Sequence, residues 1–160
     1  NVFWSLAPHD ISIFQYLIGK PPQKIKAHGG DFLQKGIQDS TITILEYPDN
    51  IKCHIFVSWL HPFKEHRLVV VGSEAMVSFE DSTEDKPLKF YEKKFEIRDK
   101  ISKKFDGPVR NIVYDKAPPL TEELKYFIRH INEKKLDKCN GIHALEVTKI
   151  LVEASNQLMN

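Results

Sequence analysis

A proline followed directly by a histidine, Pro8-His9, opens the most strongly patterned segment of this chain. The apolar residues after it repeat at helical spacing: they are Ile11, Ile13, Phe14, Leu17 and Ile18, and Gly19 follows them. Proline suits the first position of a helix, because its fixed φ matches the helix and its missing N–H would be unpaired there in any case. The pattern therefore predicts an amphipathic helix that begins at Pro8 and ends at Gly19.

His9 falls in the first turn of this predicted helix, where the helix dipole is positive. A positive field disfavours the imidazolium, so we expect a neutral ring that can exchange a proton. Position alone does not make the residue catalytic, since a histidine near a helix start is most often half-exposed and bonded to a carbonyl or to water. His9 is therefore a candidate acid/base whose role needs further support.

The middle of the chain alternates apolar and polar residues, which is typical of a sheet. The predicted strands are Ile25–Leu33, Thr41–Tyr47, Ile51–Trp59, Arg67–Val71, Met76–Glu80, Leu88–Tyr91 and Val109–Tyr114. Pro48-Asp49-Asn50 predicts a turn, and Gly72–Ala75 predicts a hairpin connection. Connections of hairpin length indicate that the sheet is predominantly antiparallel.

The third predicted strand has two unlike faces. One face carries Ile51, Cys53, Ile55, Val57 and Trp59, and the other carries Lys52, His54, Phe56 and Ser58. We expect the first set to face the helices. The second set is neither fully polar nor fully apolar, which favours packing of one sheet on another between subunits.

Two further helical patterns close the chain. The first repeats Leu120, Leu124, Phe127, Ile128 and Ile131, and the second, capped by Asn140, repeats Ile142, Leu145, Val147, Ile150, Leu151, Ala154 and Leu158. One helix, a run of strands and two helices indicate an α+β fold, with the helices packed on one face of a predominantly antiparallel open sheet. We expect residues 1–160 to form one domain.

Composition argues against several kinds of partner. A net charge of +1 makes no case for nucleic acid or an anionic membrane surface, and no apolar run approaches the length of a membrane span. Cys53 and Cys139 form neither a disulfide framework nor a metal-ligand spacing, which favours a reducing, cytoplasmic compartment. The lysine-rich segment from Lys86 to Lys104 has interleaved aromatic residues, but a solvated strand edge explains it better than a nucleic-acid stripe.

The segment from Trp4 to Gly19 resembles the one that opens the C-terminal domain of the Gfo/Idh/MocA oxidoreductases, where an aspartate, three residues and a histidine recur. His9 matches that histidine, and Ser5 stands in place of the aspartate. The string Trp-Leu-His-Pro-Phe-Lys-Glu at 59–65 and the closing helix from Gly141 are also similar to this family. The string at 59–65 resembles the sequences of one branch of this family, which acts on nucleotide-linked amino sugars and is typified by UDP-N-acetylglucosamine 3-dehydrogenases.

The resemblance implies a catalytic role for His9, as the acid/base that takes the proton of a sugar hydroxyl. Trp4, Ser5 and Asp10 would shape the substrate pocket around it. A serine can hydrogen-bond a substrate hydroxyl, but it cannot share negative charge with a histidine. Ser5 therefore argues against a relay between His9 and a carboxylate at that position.

His61 and Lys64, in the loop after Trp59, are the other candidate substrate-binding residues. Ligand contacts concentrate in loops at strand ends, although most loop residues are simply solvated. Trp4 and Trp59 suit a sugar ring with their indole faces, yet a tryptophan more often belongs to a core or an interface.

The resemblance also implies a nicotinamide cofactor, NAD or NADP, in the full-length enzyme. Its pyrophosphate needs a glycine-rich turn between a strand and a helix, whereas Gly29-Gly30 lies between extended segments. The Glu-Lys-Pro motif of the family's N-terminal half does not occur in this sequence either. We therefore expect the C-terminal domain of a longer enzyme, separated from its N-terminal Rossmann domain and unable to bind the cofactor alone.

Two classes of function remain open. In the first, the chain is the substrate domain of an NAD(P)-dependent sugar dehydrogenase that acts on a nucleotide-linked or related sugar and assembles through its sheet. In the second, it is a non-catalytic binding or oligomerisation module in which His9 is incidental. A Rossmann fingerprint and a Glu-Lys-Pro motif upstream of Asn1 would favour the first, and their absence would favour the second.

Overall fold

A computed structural model describes residues 1–98, 101–133, 136 and 138–159. Its elements in chain order are α1 (Val2–Ile18), β1 (Lys24–Gly30), β2 (Ser40–Glu46), β3 (Lys52–Ser58), β4 (Arg67–Val71), β5 (Met76–Glu80), β6 (Leu88–Arg98), β7 (Ile101–Ile112), α2 (Pro119–His130) and α3 (Gly141–Leu158). The chain divides into two compact units. The first unit comprises Asn1–His61 and Lys125–Asn160, and the second comprises Pro62–Leu124.

Helix α1 begins earlier than its sequence predicts. The Asn1 side chain accepts a hydrogen bond from the Trp4 N–H (3.2 Å) and caps the helix, so that Pro8 lies inside it. The predicted start at Pro8 is therefore wrong, and so is the placement of His9 in the first turn. The predicted end is confirmed, because Gly19 has a φ of 68° and donates its N–H to the Gln15 carbonyl (2.9 Å).

Burial explains why α1 continues through its proline. Val2, Phe3, Ala7 and Ile11 recur at helical spacing on both sides of Pro8, and each is 0% exposed. An interior proline costs about 3 kcal/mol. Burial of each large apolar side chain contributes about 1.5–3 kcal/mol, so the buried stripe outweighs the lost backbone hydrogen bond.

The first unit contains a three-stranded antiparallel sheet in the order β1-β2-β3. Its inner face is formed by Ile25, Ala27, Thr41, Thr43, Leu45, Ile55 and Val57, all buried. The predicted inward face of the third strand is confirmed for Ile55, Val57 and the half-buried Cys53, whereas Ile51 and Trp59 lie beyond its ends and are exposed. The first strand ends at Gly30 rather than Leu33, and Pro48–Asn50 forms the predicted turn as a short 3-10 helix.

Helices α1 and α3 cover the inner face of this sheet, as the sequence predicts. The Trp4 Nε1–H donates to Ser155 Oγ (2.8 Å), and Ser12 Oγ lies 2.9 Å from His143 Nε2. The two helices are therefore antiparallel. The predicted cap of α3 is confirmed, because Asn140 Oδ1 accepts the His143 N–H (2.9 Å).

The second unit contains a four-stranded antiparallel sheet in the order β4-β5-β6-β7. The β4–β5 hairpin matches its predicted bounds. Strands β6 and β7 are longer than predicted and include most of the residues between the two predicted strands, since alternating apolar residues such as Phe95 and Ile97 continue the strand pattern through the lysines. Strand β7 ends at Ile112, two residues before the predicted end, and residues 99 and 100 of the lysine-rich segment lie outside the described residues.

The predicted helix after Pro118 is confirmed as α2, with Glu122 in its first turn. Helices and two antiparallel sheets in the described residues confirm the α+β class. No helix in the described part of the chain is long and apolar enough to cross a membrane. Within the same residues, no group of three or more His, Cys, Asp or Glu side chains is arranged to hold a metal ion.

Candidate functional site

Ser5 and His9 share the solvent-facing side of α1. They are separated by one helical turn, and both side chains are exposed. Residues four apart on a helix have Cβ atoms about 5–6 Å apart, so one ligand can contact both. Within the described part of the chain, the His9 ring has no hydrogen bond or ion pair, which leaves its nitrogens open to a ligand.

The interior position of His9 changes the electrostatic argument made from sequence. The positive field of a helix is confined to its first turn, and α1 begins at Val2. Two turns of helix therefore separate His9 from that end. The role of His9 as acid/base stays a prediction.

The Trp4 side chain forms part of the contact between α1 and α3. Its indole Nε1–H donates to Ser155 Oγ on α3, and 44% of the residue remains exposed. The hydrogen bond fixes the ring orientation and uses its single donor. What remains available to a ligand is the exposed part of the ring surface.

Asp10 is half-buried and already has an interaction partner. On a helix, its side chain is turned about 100° from that of His9. It therefore belongs to a different side of α1 from the pair formed by Ser5 and His9.

His61 and Lys64 fall in different units. The His61 ring packs edge-on against Phe56 at a centroid distance of 6.2 Å, just after β3. Lys64 is exposed and belongs to the second unit. A common site for these two residues with His9 remains a prediction.

The start of α1 is fixed to the sheet by a buried glutamine. The Val2 N–H donates to the Gln38 carbonyl (3.0 Å), and the Asn1 side-chain amide donates to Gln38 Oε1 (2.9 Å). Gln38 Nε2 donates in turn to the Leu158 carbonyl at the end of α3 (3.1 Å). Gln38 therefore positions the N-terminal half of α1, which carries Ser5 and His9.

Asp39 holds two loops at the same end of the sheet. Its carboxylate accepts the Leu33 N–H (2.7 Å) and its carbonyl accepts the Trp59 N–H (2.9 Å), while the residue is 2% exposed. Sequence reasoning missed both Gln38 and Asp39. Their only signal was a polar pair directly before a β-branched strand, and that pattern is common in loops.

A groove of about 370 Å³ lies between α1 and α3. Its lining is mainly apolar and includes Trp4, Pro8, Val147 and Leu151, with the Ser12–His143 pair among the polar members. His143 is half-buried on α3. The structure gives it a definite partner, because Ser12 Oγ lies 2.9 Å from its Nε2.

Gly29-Gly30 does not fit a dinucleotide. The pair ends β1, and a loop and then β2 follow it, whereas a pyrophosphate needs the start of a helix at that point. A Cβ at Gly29 would lie 2.9 Å from Gln38 Cγ and 3.0 Å from Leu158 Cδ2. This glycine therefore serves close packing, and the described residues offer no cradle for the cofactor at this turn.

The N-terminal part of the chain matches a known protein family. Residues 1–78 match the sequence model of the GFO/IDH/MocA C-terminal domain. This range includes α1 with Ser5 and His9, the whole three-stranded sheet and the loop that carries His61 and Lys64. No curated protein matches the chain.

Solved structures match nearly the whole chain. UDP-N-acetylglucosamine 3-dehydrogenase GnnA from Acidithiobacillus ferrooxidans superposes with a TM-score of 0.82 over 99% of this chain, at 14% identity. Aldose-aldose oxidoreductase from Caulobacter crescentus superposes with a TM-score of 0.74 over 98% of it, at 13% identity. The match covers 47% of the first structure and 45% of the second, so the chain spans about half the length of these relatives.

Proposed function

Because this chain carries a Gfo/Idh/MocA C-terminal domain, we propose that it is the substrate domain of an NAD(P)-dependent sugar dehydrogenase. The substrate we propose is a nucleotide-linked amino sugar. Similarity to the fold of a UDP-N-acetylglucosamine 3-dehydrogenase and the string at 59–65 support this choice. A cytoplasmic location is part of the same proposal, supported by the free thiols of Cys53 and Cys139.

The observation that carries the proposal is the pairing of Ser5 and His9 on the exposed side of α1, inside the matched segment. Oxidation of a sugar alcohol removes the hydroxyl proton as the carbon loses a hydride. His9 would accept that proton at an exposed ring nitrogen, and the Ser5 hydroxyl would hydrogen-bond the same sugar. Trp4 and Asp10 would flank them on neighbouring sides of the helix.

His61 and Lys64 extend the proposed substrate contacts. The ammonium of Lys64 suits the phosphate groups of a nucleotide-linked sugar, because charge-assisted hydrogen bonds to phosphate are strong. The His61 ring, held against Phe56, would contact a less charged part of the substrate.

The cofactor belongs, in this proposal, to an N-terminal Rossmann domain of a longer protein. The share of the relatives that the chain covers supports this division. The turn at Gly29-Gly30 does not fit a dinucleotide, and in this proposal the residues of this chain act on the substrate only. They bind it, orient its hydroxyl and receive its proton.

The test uses the longer protein, expressed from its complete gene, beside the present 160-residue chain. We expect the longer protein to reduce NAD or NADP when UDP-N-acetylglucosamine or a related nucleotide sugar is added, with free sugars much poorer. Titration calorimetry of the present chain with either cofactor should be flat. Saturable cofactor binding by the present chain, or a longer protein that oxidises none of these sugars, would contradict the proposal.

A non-catalytic assembly role is the second candidate, favoured by the outer face of the first unit's sheet. Ile42 pairs with Phe56 across β2 and β3, and these residues are 45% and 57% exposed. Ile44 and His54 form the next pair on the same face. Two such faces would bury one another about a twofold axis, the commonest arrangement in homo-oligomers.

Light scattering at micromolar concentration tests this second role. Phe56→Glu should dissociate the oligomer, because it places a charge in a packed apolar contact. Lys149→Glu, an exposed charge change on α3, which covers the opposite face of the sheet, is the control and should associate nearly as the parent does. Unchanged association of Phe56→Glu would show that subunits do not meet at this face.

A further inference from the structure

Strand β6 extends beyond the end of its neighbour β5. The first residue of β5, Met76, pairs with Tyr91, and β6 then continues to Arg98 beside β7 alone. Residues 92–98 and 101–106 therefore form a two-stranded ribbon, and no strand of the described residues pairs there with the edge of β6 that β5 covers elsewhere. Two-stranded ribbons are marginally stable in water and gain stability from a further strand.

The ribbon exposes large apolar side chains on both faces. On β6, Phe95 is 59% exposed and Ile97 is 78% exposed. On β7, Ile101 and Phe105 are 70% and 51% exposed. Register places Phe95 opposite Lys104 and Phe105 opposite Lys94, so the two phenylalanines lie on different faces.

The charges along the open edge are arranged to match a second copy of themselves. The edge has the sequence Glu-Lys-Lys-Phe-Glu-Ile-Arg over positions 92–98. We propose that a second copy of this chain pairs antiparallel with this edge, about a twofold axis at Phe95. That register sets Phe95 opposite Phe95, Lys94 opposite Glu96 and Glu92 opposite Arg98 of the other copy.

Neighbouring registers are excluded by charge. A twofold axis normal to a sheet opposes residues of the same parity, because side chains alternate between its faces. An axis at Lys94 would oppose two lysines and set Glu92 opposite Glu96. An axis at Glu96 would oppose two glutamates and set Lys94 opposite Arg98. The register centred on Phe95 instead opposes unlike charges at positions 92, 94, 96 and 98, and it sets Lys93 opposite Ile97.

The same side chains already recognise opposite charge within one copy. Lys94 Nζ lies 2.8 Å from a Glu74 oxygen and 3.3 Å from a Glu96 oxygen. Lysines on an open edge ordinarily prevent strand pairing by repelling a second edge of the same charge. Here Glu92 and Glu96 lie on either side of the two lysines, so the edge can match a second copy of itself in charge.

Reversing the charge at position 94 in one variant and at position 96 in another tests the pairing. Lys94→Glu and Glu96→Lys should each weaken self-association by about tenfold or more in sedimentation velocity, since each opposes like charges twice about the axis. An equimolar mixture of the two variants should associate again, because position 94 of one then meets the opposite charge at 96 of the other. Lys149→Glu, on the exposed side of α3, is the control and should behave as the parent.

Cross-linking tests the register independently of charge. Directly opposed residues in antiparallel strands have Cα atoms about 4.5–5.5 Å apart, within the range of a disulfide. In a Cys139→Ser background, Phe95→Cys should form a covalent dimer under mild oxidation. Ile97→Cys should not, since the two copies of that position lie well apart along the paired strands.

Three results would overturn the proposal: a monomeric parent at all concentrations tested, single charge variants that associate as the parent does, or a mixture that fails to recover. Cross-linking of Ile97→Cys equal to that of Phe95→Cys would overturn the register. This edge and the outer face of the first sheet belong to different units, so Phe56→Glu leaves the cross-linking of the edge unchanged if both proposals hold.

Discussion

The buried phenol of Tyr47 donates a hydrogen bond to Gln15 Oε1 (3.1 Å) and so joins the first sheet to α1. The two residues are 3% and 5% exposed. Gln15 Nε2 donates in turn to Glu146 on α3 (3.3 Å). One polar chain therefore connects the sheet and both covering helices at the end of α1 opposite to its cap.

Tyr47→Phe should lower the free energy of unfolding by about 1–3 kcal/mol, because it leaves the buried Gln15 oxygen without its donor. Urea denaturation followed by circular dichroism measures the change. Tyr16→Phe is the matched control, since Tyr16 is 60% exposed and should change stability little. Equal stability of parent and Tyr47→Phe would show that the hydrogen bond contributes nothing.

Alkaline pH should destabilise the parent through the same phenol. Burial, and to a smaller extent the nearby Cys53 thiolate, raises the pKa of Tyr47 well above its ordinary value of 10.0. Above about pH 10 the unfolded chain loses this proton while the folded chain keeps it, so stability falls as pH rises. Denaturation midpoints between pH 9 and 11 should therefore decline less steeply for Tyr47→Phe, and parallel declines would contradict this account.

Thr43→Val should raise the free energy of unfolding by about 1 kcal/mol. The Thr43 hydroxyl is fully buried and has no hydrogen-bond partner among the described residues, and an unpaired buried hydroxyl costs about 1–3 kcal/mol. Thr148→Val is the control, because Thr148 Oγ1 is exposed and donates to the Ala144 carbonyl (2.8 Å). A destabilised Thr43→Val would indicate that the hydroxyl is satisfied in solution.

Gly107→Ala should destabilise the second unit by about 1–3 kcal/mol through overpacking. Pairing slips between Tyr91 and Lys93, and a Cβ at Gly107 would lie 2.5 Å from the Glu92 carbonyl oxygen. Chemical denaturation measures the loss. Gly141→Ala tests the same change where a Cβ meets nothing within 4 Å, and it should leave stability unchanged or slightly higher.

The strand pattern and the second and third helices could be predicted from sequence because their signals are local. The start of α1 could not, since Pro8 is a strong local signal for a helix start and the competing evidence is tertiary. Only the folded chain shows that Val2 and Phe3 are buried with Ile11, and that Asn1 caps the helix. Burial then overrides the proline.

The site could be predicted only in part for a similar reason. Ser5 and His9 lie four residues apart on one helix, so their proximity follows from helical spacing. Gln38 and Asp39 act through partners distant in sequence, at Asn1, Leu158 and Trp59. No local pattern distinguishes such residues from ordinary loop positions.

The role of His9 is the central claim, and kinetics of the longer protein test it most directly. His9→Asn keeps a hydrogen-bonding side chain of similar size and removes the proton acceptor. General-base catalysis contributes about two to four orders of magnitude, so kcat should fall by that factor with a much smaller change in KM. His54→Asn, an exposed histidine on the outer face of the sheet, is the matched control and should keep the parent kcat. A His9→Asn enzyme with near-normal kcat across neutral pH would contradict the account.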